Sequence, residues 1–201
     1  MAEWFSNGGP VMWPILGCSV IALAIFLERL AALRRSRIIP QPLLTVVEDL
    51  LLQKKISEAE TLCKQDRSCF ANILHVGIHS REKSRERLKE SIEQVGKKEA
   101  VKLNKYIGGL GTIAHISPLL GLLGTVLGMM NVFEVITEKG VGNAQSLAGG
   151  ISEALITTIA GLMVAIPTLV AFRFLNAKIK ALVTEVEEHS LKMMDLIHKG
   201  G

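Results

Sequence analysis

The sequence is poor in cysteine and aromatic residues, and charge is missing from long stretches of it. Its three cysteines are an odd number, with Cys18 in an apolar run and Cys63 and Cys69 in a charged segment. We therefore expect neither a disulfide framework nor a metal site from them. No His, Cys and carboxylate cluster has metal-site spacing, and no nucleophile and base are paired. The sequence predicts a protein that is not an enzyme and that needs no cofactor.

The uncharged stretches are long enough to cross a membrane. The chain is 49% hydrophobic, with a mean hydropathy of +0.35. Residues 11–27 and 106–133 carry no charge, and Glu153 is the only ionisable side chain between Lys139 and Arg173. A helix needs about 20 apolar residues to cross a hydrocarbon core of roughly 30 Å. We predict an all-α membrane protein with three transmembrane helices and long helical cytoplasmic extensions. No charged n-region precedes the first apolar block, which argues against a cleaved signal peptide.

The charged residues predict the orientation and the segment boundaries. Residues 34–105 carry 16 Lys or Arg against 10 Asp or Glu, and Arg34 and Arg173 follow the first and third spans. The positive-inside rule places these ends in the cytoplasm, and Trp4 and Trp13 suit the opposite interface. The predicted segments are a periplasmic or interfacial stretch 1–10, span 11–33, cytoplasmic helical domain 34–105, span 106–133, periplasmic connector 134–144, span 145–172 and cytoplasmic helix 173–201.

The end of the cytoplasmic domain reads as a charged helix. From about Ser84, apolar residues recur at helical intervals, and no stop signal precedes Tyr106. We therefore expect one long helix that begins in the cytoplasm and continues through the second span. Acidic residues are mixed through this basic stretch, which favours a solvated helix face over a nucleic-acid site.

Glu153 is the leading functional candidate, because a carboxylate in a membrane segment is costly unless it faces protein or water. On a helical wheel Glu153 shares a face of small residues with Thr157 and Gly161. In the second span, Thr125 lies on a face that includes Gly121 and other small residues. Small faces let helices approach closely in lipid, and threonine can bond across helices or line water. Packing alone accounts for the glycines, whereas it gives no reason for the carboxylate.

Two further features bear on assembly. Pro118 and Pro167 each remove a backbone hydrogen bond inside a span, which makes them possible hinges. One chain offers only two faces of this kind, and two helices cannot enclose a water path. A ring of identical chains around an axial pore can, so we predict a homo-oligomer.

Two long motifs are distinctive, namely residues 118–133, PLLGLLGTVLGMMNVF, and residues 153–167, EALITTIAGLMVAIP. They resemble the MotA/TolQ/ExbB proton channel family, most closely its ExbB/TolQ branch. The resemblance covers all three spans and includes residues 8–14, GGPVMWP, and residues 28–30, ERL. Three spans fit this branch better than the four-span flagellar stators.

The resemblance implies a motor subunit of the bacterial inner membrane, with a periplasmic N-terminus and a cytoplasmic C-terminus. In that family, five copies surround a pore that holds the transmembrane helices of two copies of an ExbD/TolR-like single-span partner. Proton flow is coupled to rotation or other movement, and a TonB- or TolA-like protein carries the work to the outer membrane. The partners implied are therefore further copies of the chain, these two proteins, protons and membrane lipids. The proton-carrying aspartate of the family belongs to the small partner.

The resemblance also assigns residues by motif position. Thr125 matches the family threonine of the second span, and Glu153 and Thr158 match the acidic and threonine positions of the third. Glu153 and Thr158 lie about 140° apart on an ideal helix. Either one of them faces a subunit boundary, or the helix departs from ideal near Gly161. The complete predicted set is the ion-pathway residues Thr125, Glu153, Thr157 and Thr158, the packing and pore-face residues Gly121, Gly124, Gly128 and Gly161, and the possible hinges Pro118 and Pro167.

Three functions remain open at this point. The first is ExbB-like energisation of TonB-dependent transport across the outer membrane. The second is TolQ-like work in envelope maintenance and cell division. The third, from a different class, is a non-conducting membrane scaffold. A secondary transporter is disfavoured, because three spans contain no inverted repeat.

Overall fold

The computed structural model describes residues 8–82, 84–139 and 144–200. Helices account for the regular structure, and this part of the chain contains no strand. The predicted N-terminal segment up to residue 7, with Trp4, and residues 140–143 of the predicted connector lie outside the described residues. The helices are α1 (Met12–Ala32), α2 (Arg35–Ile38), α3 (Gln41–Leu52), α4 (Ile56–Gln65), α5 (Cys69–His79), α6 (Arg85–Leu103), α7 (Ile107–Lys139) and α8 (Ala144–Gly200).

Three of these helices are long and apolar enough to cross a membrane. They lie at Met12–Ala32, Ile107–Thr137 and Leu147–Ile197, with mean hydropathies of 2.0, 1.9 and 2.2. Many of their large apolar side chains are exposed, including Trp13 at 70%, Met163 at 67% and Ile166 at 62%. A surface of this kind is costly in water and suits lipid or a neighbouring chain. The predicted all-α membrane fold with three long apolar helices is confirmed, and the protein is a multi-pass membrane protein.

The single long helix expected through Tyr106 is wrong. Helix α6 ends at Leu103, and α7 begins at Ile107. The Asn104 side chain turns back and donates from Nδ2 to the carbonyl oxygen of Ala100 at 2.9 Å. Tyr106 then has a φ of +65°, outside the right-handed helical region, so the helical hydrogen-bond ladder cannot pass through it. Asparagine often ends a helix in this way, so Asn104 is the sequence feature that indicates the break, although the hydrophobic periodicity continues through it.

The helix ends do not coincide with the predicted membrane boundaries, which stay predictions. Helix α7 continues six residues past Phe133, to Lys139, because no helix breaker intervenes before Gly140. Helix α8 is continuous from Ala144 to Gly200, so the predicted third span and C-terminal helix belong to one element. The uncharged and the charged parts of α8 therefore belong to one unbroken helix.

The chain forms two compact units. The membrane unit consists of the chain up to Glu28 together with Tyr106–Phe174, and the second unit consists of Arg29–Lys105 together with the chain from Leu175 onward. In the second unit, α5 and the C-terminal part of α8 are the main contributors to the core. Phe70 is completely buried and meets the His189 ring edge-on at 6.0 Å. The other fully buried side chains in this unit include Val47, Ile73, Leu74, Ile78, Leu88, Leu175, Met193 and Ile197.

Serine caps and ion pairs complete the second unit. Ser68 Oγ accepts from the Ala71 amide at 3.2 Å at the start of α5, as expected for an N-cap. Arg35 Nε donates to both carboxylate oxygens of Glu185, at 2.8 and 3.0 Å, and links α2 to α8. These hydrogen bonds lower the pKa of Glu185 and raise the pKa of Arg35. Further pairs that reach α8 include Lys192 with Glu48 at 2.6 Å and Arg85 with Asp195 at 2.9 Å.

The two thiols of the second unit are expected to react slowly. Burial raises the pKa of Cys63 and of Cys69 to about 12, so at pH 8 both are neutral thiols and weak nucleophiles. In a Cys18→Ser variant, N-ethylmaleimide should modify the folded protein at least about tenfold more slowly than the denatured protein. Mass spectrometry measures both rates.

The raised pKa of these two thiols also determines how the free energy of unfolding depends on pH. Unfolded thiols ionise first, so the contribution of these groups to the free energy of unfolding should decrease as the pH rises from about 9 to about 12. Equal labelling rates in the folded and denatured protein would contradict the burial of both thiols.

Candidate functional site

In the membrane unit, α7 and α8 pack along a seam of small residues, which we call the glycine seam. It comprises Gly121, Gly124 and Gly128 of α7 with Gly150, Ala154, Thr157, Thr158 and Gly161 of α8. A Cβ added to Gly121 would lie 3.0 Å from the Cα of Thr158. A Cβ added to Gly161 would lie 2.6 Å from the carbonyl oxygen of Ser117. The two backbones therefore approach closely where glycine leaves room, as is typical of helix pairs in lipid.

Thr157 fills the space that Gly124 leaves. A Cβ at Gly124 would lie 2.5 Å from the Thr157 Cβ and would collide with its hydroxyl oxygen. Thr157 is 1% exposed, and its Oγ1 donates to the carbonyl oxygen of Ala154 at 2.8 Å. Gly128 sits in the same way against Ala154, whose Cβ would be 2.9 Å from an added Cβ. Thr157 is thus buried in the seam within one chain, and its hydroxyl is satisfied on its own helix.

Thr158 forms a hydrogen bond across the seam. Its Oγ1 donates to the carbonyl oxygen of Gly121 at 3.2 Å. Hydrogen bonds between membrane helices contribute about 0.6 kcal/mol on average. Thr158 therefore faces α7 of its own chain, which the helical wheel alone left undecided.

Glu153 faces a different neighbour. Its side chain is half-buried, and its carboxylate lies on the backbone of Gly9, just before α1. A Cβ added to Gly9 would collide with Glu153 Oε1 and would lie 3.1 Å from the Cδ. The carboxylate and the Thr158 hydroxyl thus meet two different elements of one membrane unit.

Thr125 and the two prolines lie apart from these contacts. Thr125 is half-buried on α7, and its Oγ1 donates to the carbonyl oxygen of Leu122 at 2.6 Å. Pro118 and Pro167 both lie inside helices that continue past them, so a hinge role stays a prediction. Pro167 lines a mainly apolar cavity of 680 Å³ with residues of α1, α7 and α8. Among the described residues, no three His, Cys, Asp or Glu side chains are arranged to hold a metal ion.

Three apolar spans, a tight seam of small residues and one half-buried carboxylate define a multi-pass helical membrane protein with a polar site in its membrane unit. Residues 51–188 match the MotA/TolQ/ExbB proton channel family. The chain belongs to this family, in its ExbB/TolQ branch.

Named relatives support the same assignment. The biopolymer transport protein ExbB-like 1 of Synechocystis sp. is 35% identical over 184 residues, which cover 87% of this chain and 70% of the relative. The ExbB-like 3 protein of the same organism is 32% identical and covers 89% of this chain and 87% of the relative. The Tol-Pal system protein TolQ of Haemophilus influenzae is 32% identical over 102 residues, or 51% of this chain and 45% of the relative. Both branch names therefore occur among the relatives.

Sequence reasoning did not assign roles to two residues of this region. Gly9 entered only as part of the segment GGPVMWP, although two glycines before a proline signal an unusual turn. Ser117 supplies the carbonyl oxygen that meets Gly161, a backbone contact for which side-chain chemistry gives no signal. Both contacts depend on backbone approach between elements distant in sequence.

The seam predicts a steric effect of one methyl group. Gly124→Ala places a Cβ against the buried Thr157, whose Cβ cannot move away, so we expect a loss of about 1–3 kcal/mol in stability. The matched control is Gly108→Ala on the same helix, where a Cβ meets no atom within 4 Å. Thermal unfolding in detergent compares the two variants. Equal midpoints for both would contradict the tight contact at Gly124.

Proposed function

We propose that this chain is the ring-forming subunit of a proton-driven motor in the bacterial inner membrane, of the ExbB type. Five copies surround a pore that contains the transmembrane helices of an ExbD/TolR-like single-span partner. Proton flow along the proton-motive force moves this assembly, and a TonB-like protein delivers the work to transport across the outer membrane. The observation that carries the proposal is Glu153, a half-buried carboxylate in a membrane helix of a chain that belongs to a proton channel family.

The contacts of α7 and α8 support a ring. The glycine seam is used inside one chain, so the surfaces of α7 and α8 that neither the seam nor the N-terminal part of the chain covers must meet lipid or other chains. On α7 these surfaces include Leu122, Val126 and Met130, and on α8 they include Leu155, all more than half exposed. Apolar surface of this extent gives a single chain no enclosed path for protons. Copies around an axis, with a partner inside, supply the missing walls.

The membrane residues divide the work in this proposal. Glu153 lies beside the ion path and controls access to it, while the small partner supplies the group that carries each proton. Thr125 contributes a hydroxyl at the pore-facing side of α7, and Thr158 fixes α8 against α7 beside the path. Thr157 and the seam glycines keep these two helices in register. The N-terminus is periplasmic and the C-terminus cytoplasmic, which the basic residues after the first and third spans support.

A TolQ-like role in envelope maintenance is the second candidate function. It is supported by the 32% identity to a TolQ protein over half of this chain. Both machines use the same type of ring, so the membrane contacts above serve either one. The periplasmic protein that joins the assembly, TonB-like or TolA-like, separates the two.

Proton flux tests the motor. In vesicles that contain the chain and its small partner, Glu153→Ala and Thr125→Ala should each reduce proton flux to about a tenth or less, because a rare polar group on a membrane ion path is lost. The matched controls on α7 are Glu134→Ala and Thr112→Ala, both at exposed positions. They should retain the flux of the unchanged chain. Full flux in both site variants would refute the proposal and favour a scaffold.

The assembly gives an independent test. After gentle detergent extraction together with the products of neighbouring genes, imaged particles should show a ring, because one chain leaves its polar site without enclosing walls, and its symmetry should be the five-fold one of the proposed assembly. The proteins that co-purify should include a single-span partner and either a TonB-like or a TolA-like protein. A stable monomer would overturn the ring.

A further inference from the structure

The segment GGPVMWP, residues 8–14, has no role in the proposed ion path, yet its first half is packed against the membrane unit. Gly8, Val11 and Met12 are buried, as is the following Ile15. The Met12 amide donates to the carbonyl oxygen of Gly9 at 3.3 Å, which closes a turn over Pro10. The segment is therefore anchored in the membrane unit immediately before α1.

This turn meets α8 at two points on one face. A Cβ added to Gly8 would lie 3.3 Å from the Cγ2 of Ile156, and 2.5 Å from the Cγ of Met12. A Cβ added to Gly9 would collide with the carboxylate of Glu153. Glu153 and Ile156 are three residues apart and share a helix face. The turn thus rests on the part of α8 that carries the carboxylate.

Two independent constraints require glycine at position 9. Its φ is +64°, a region that L-residues with a side chain rarely adopt. The space in which a side chain would begin is occupied by Glu153 Oε1 and Cδ. A conformational requirement alone would tolerate asparagine, whereas a Cβ at this position fits only if the Glu153 carboxylate moves away.

We propose that Gly9 is a positioning residue for Glu153. Its bare backbone covers the carboxylate and fixes the direction in which it points, so the turn before α1 determines how Glu153 reaches the ion path. The inference rests on the proposed role of Glu153 beside that path. According to this inference, the orientation of the Glu153 carboxylate depends on the turn before α1, a segment remote in sequence, as well as on α8 itself.

Carbodiimide labelling tests this placement without any need for proton flux. Dicyclohexylcarbodiimide couples to protonated carboxyls in apolar surroundings, and mass spectrometry gives the fraction of Glu153 modified in the purified chain without partner. Gly9→Ala should raise the labelling rate of Glu153 by about threefold or more, because the side chain is forced off the backbone that covers it. Gly9→Asn should do the same, since asparagine tolerates the backbone conformation but still carries a side chain.

The controls are Gly17→Ala in α1 and Gly149→Ala in α8. At both positions a Cβ meets no atom within 4 Å, so labelling of Glu153 should not change. In a Glu153→Asp background the shorter side chain withdraws from Gly9. In that background, the ratio of the labelling rates with and without Gly9→Ala should approach one. A general loss of stability would not remove the effect in this way.

Unchanged labelling in both Gly9 variants would overturn the positioning role. So would an equal rise in the Gly17→Ala or Gly149→Ala control, or an undiminished effect in the Glu153→Asp background. Because labelling uses this chain alone, its result stands apart from the flux measurement. If flux is lost in Glu153→Ala while labelling is unchanged in the Gly9 variants, the proposed motor function stands and the positioning role of Gly9 is refuted.

Discussion

The close approach of α7 and α8 is the constraint on which the membrane unit depends. In lipid there is no hydrophobic driving force for helices to associate, because the lipid tails are as apolar as the side chains. Membrane helices therefore associate through close packing and hydrogen bonds. In this protein the glycine seam provides both the packing and the hydrogen bond. The glycines remove side chains from the interface, Thr157 occupies one gap, and the Thr158 hydroxyl reaches a carbonyl that a larger residue at position 121 would cover. Loosening the seam would therefore remove packing and polar contacts together.

The position of Glu153 follows from this arrangement. The face of α8 that meets α7 is filled by small residues and methyl groups, which leaves no room for a carboxylate. Glu153 is directed instead to the turn before α1, where a glycine backbone replaces a side chain. A membrane carboxylate needs protein or water around it, and the structure supplies protein on one side. The exposed side of this half-enclosed group is where the proposed ion path would meet it.

Sequence patterns predicted the fold class well, because hydrophobic length and basic flanks are local properties of the chain. They also singled out the seam glycines, since helical spacing alone puts Gly121, Gly124 and Gly128 close together. They did not find the break at Asn104–Tyr106, where one side-chain hydrogen bond and one left-handed residue override periodicity. The contact of Gly9 with Glu153 was equally hidden, because it joins residues 144 positions apart in the sequence and involves no side chain at one end. Tertiary contacts of backbone atoms leave little trace in composition or spacing.

The hydrogen bond from Thr158 to Gly121 has a consequence for how the two helices can move. In an α-helix the carbonyl of Gly121 also accepts from the amide of the residue four positions on, which is Thr125. One oxygen atom therefore serves as acceptor for both threonines that the family resemblance assigns to the ion path. If α8 slid along α7, that oxygen would accept from the Thr125 amide alone, so the hydrogen bonding of that turn of α7 would change. Through this shared acceptor, the backbone hydrogen bond at Thr125 depends on the position of α8.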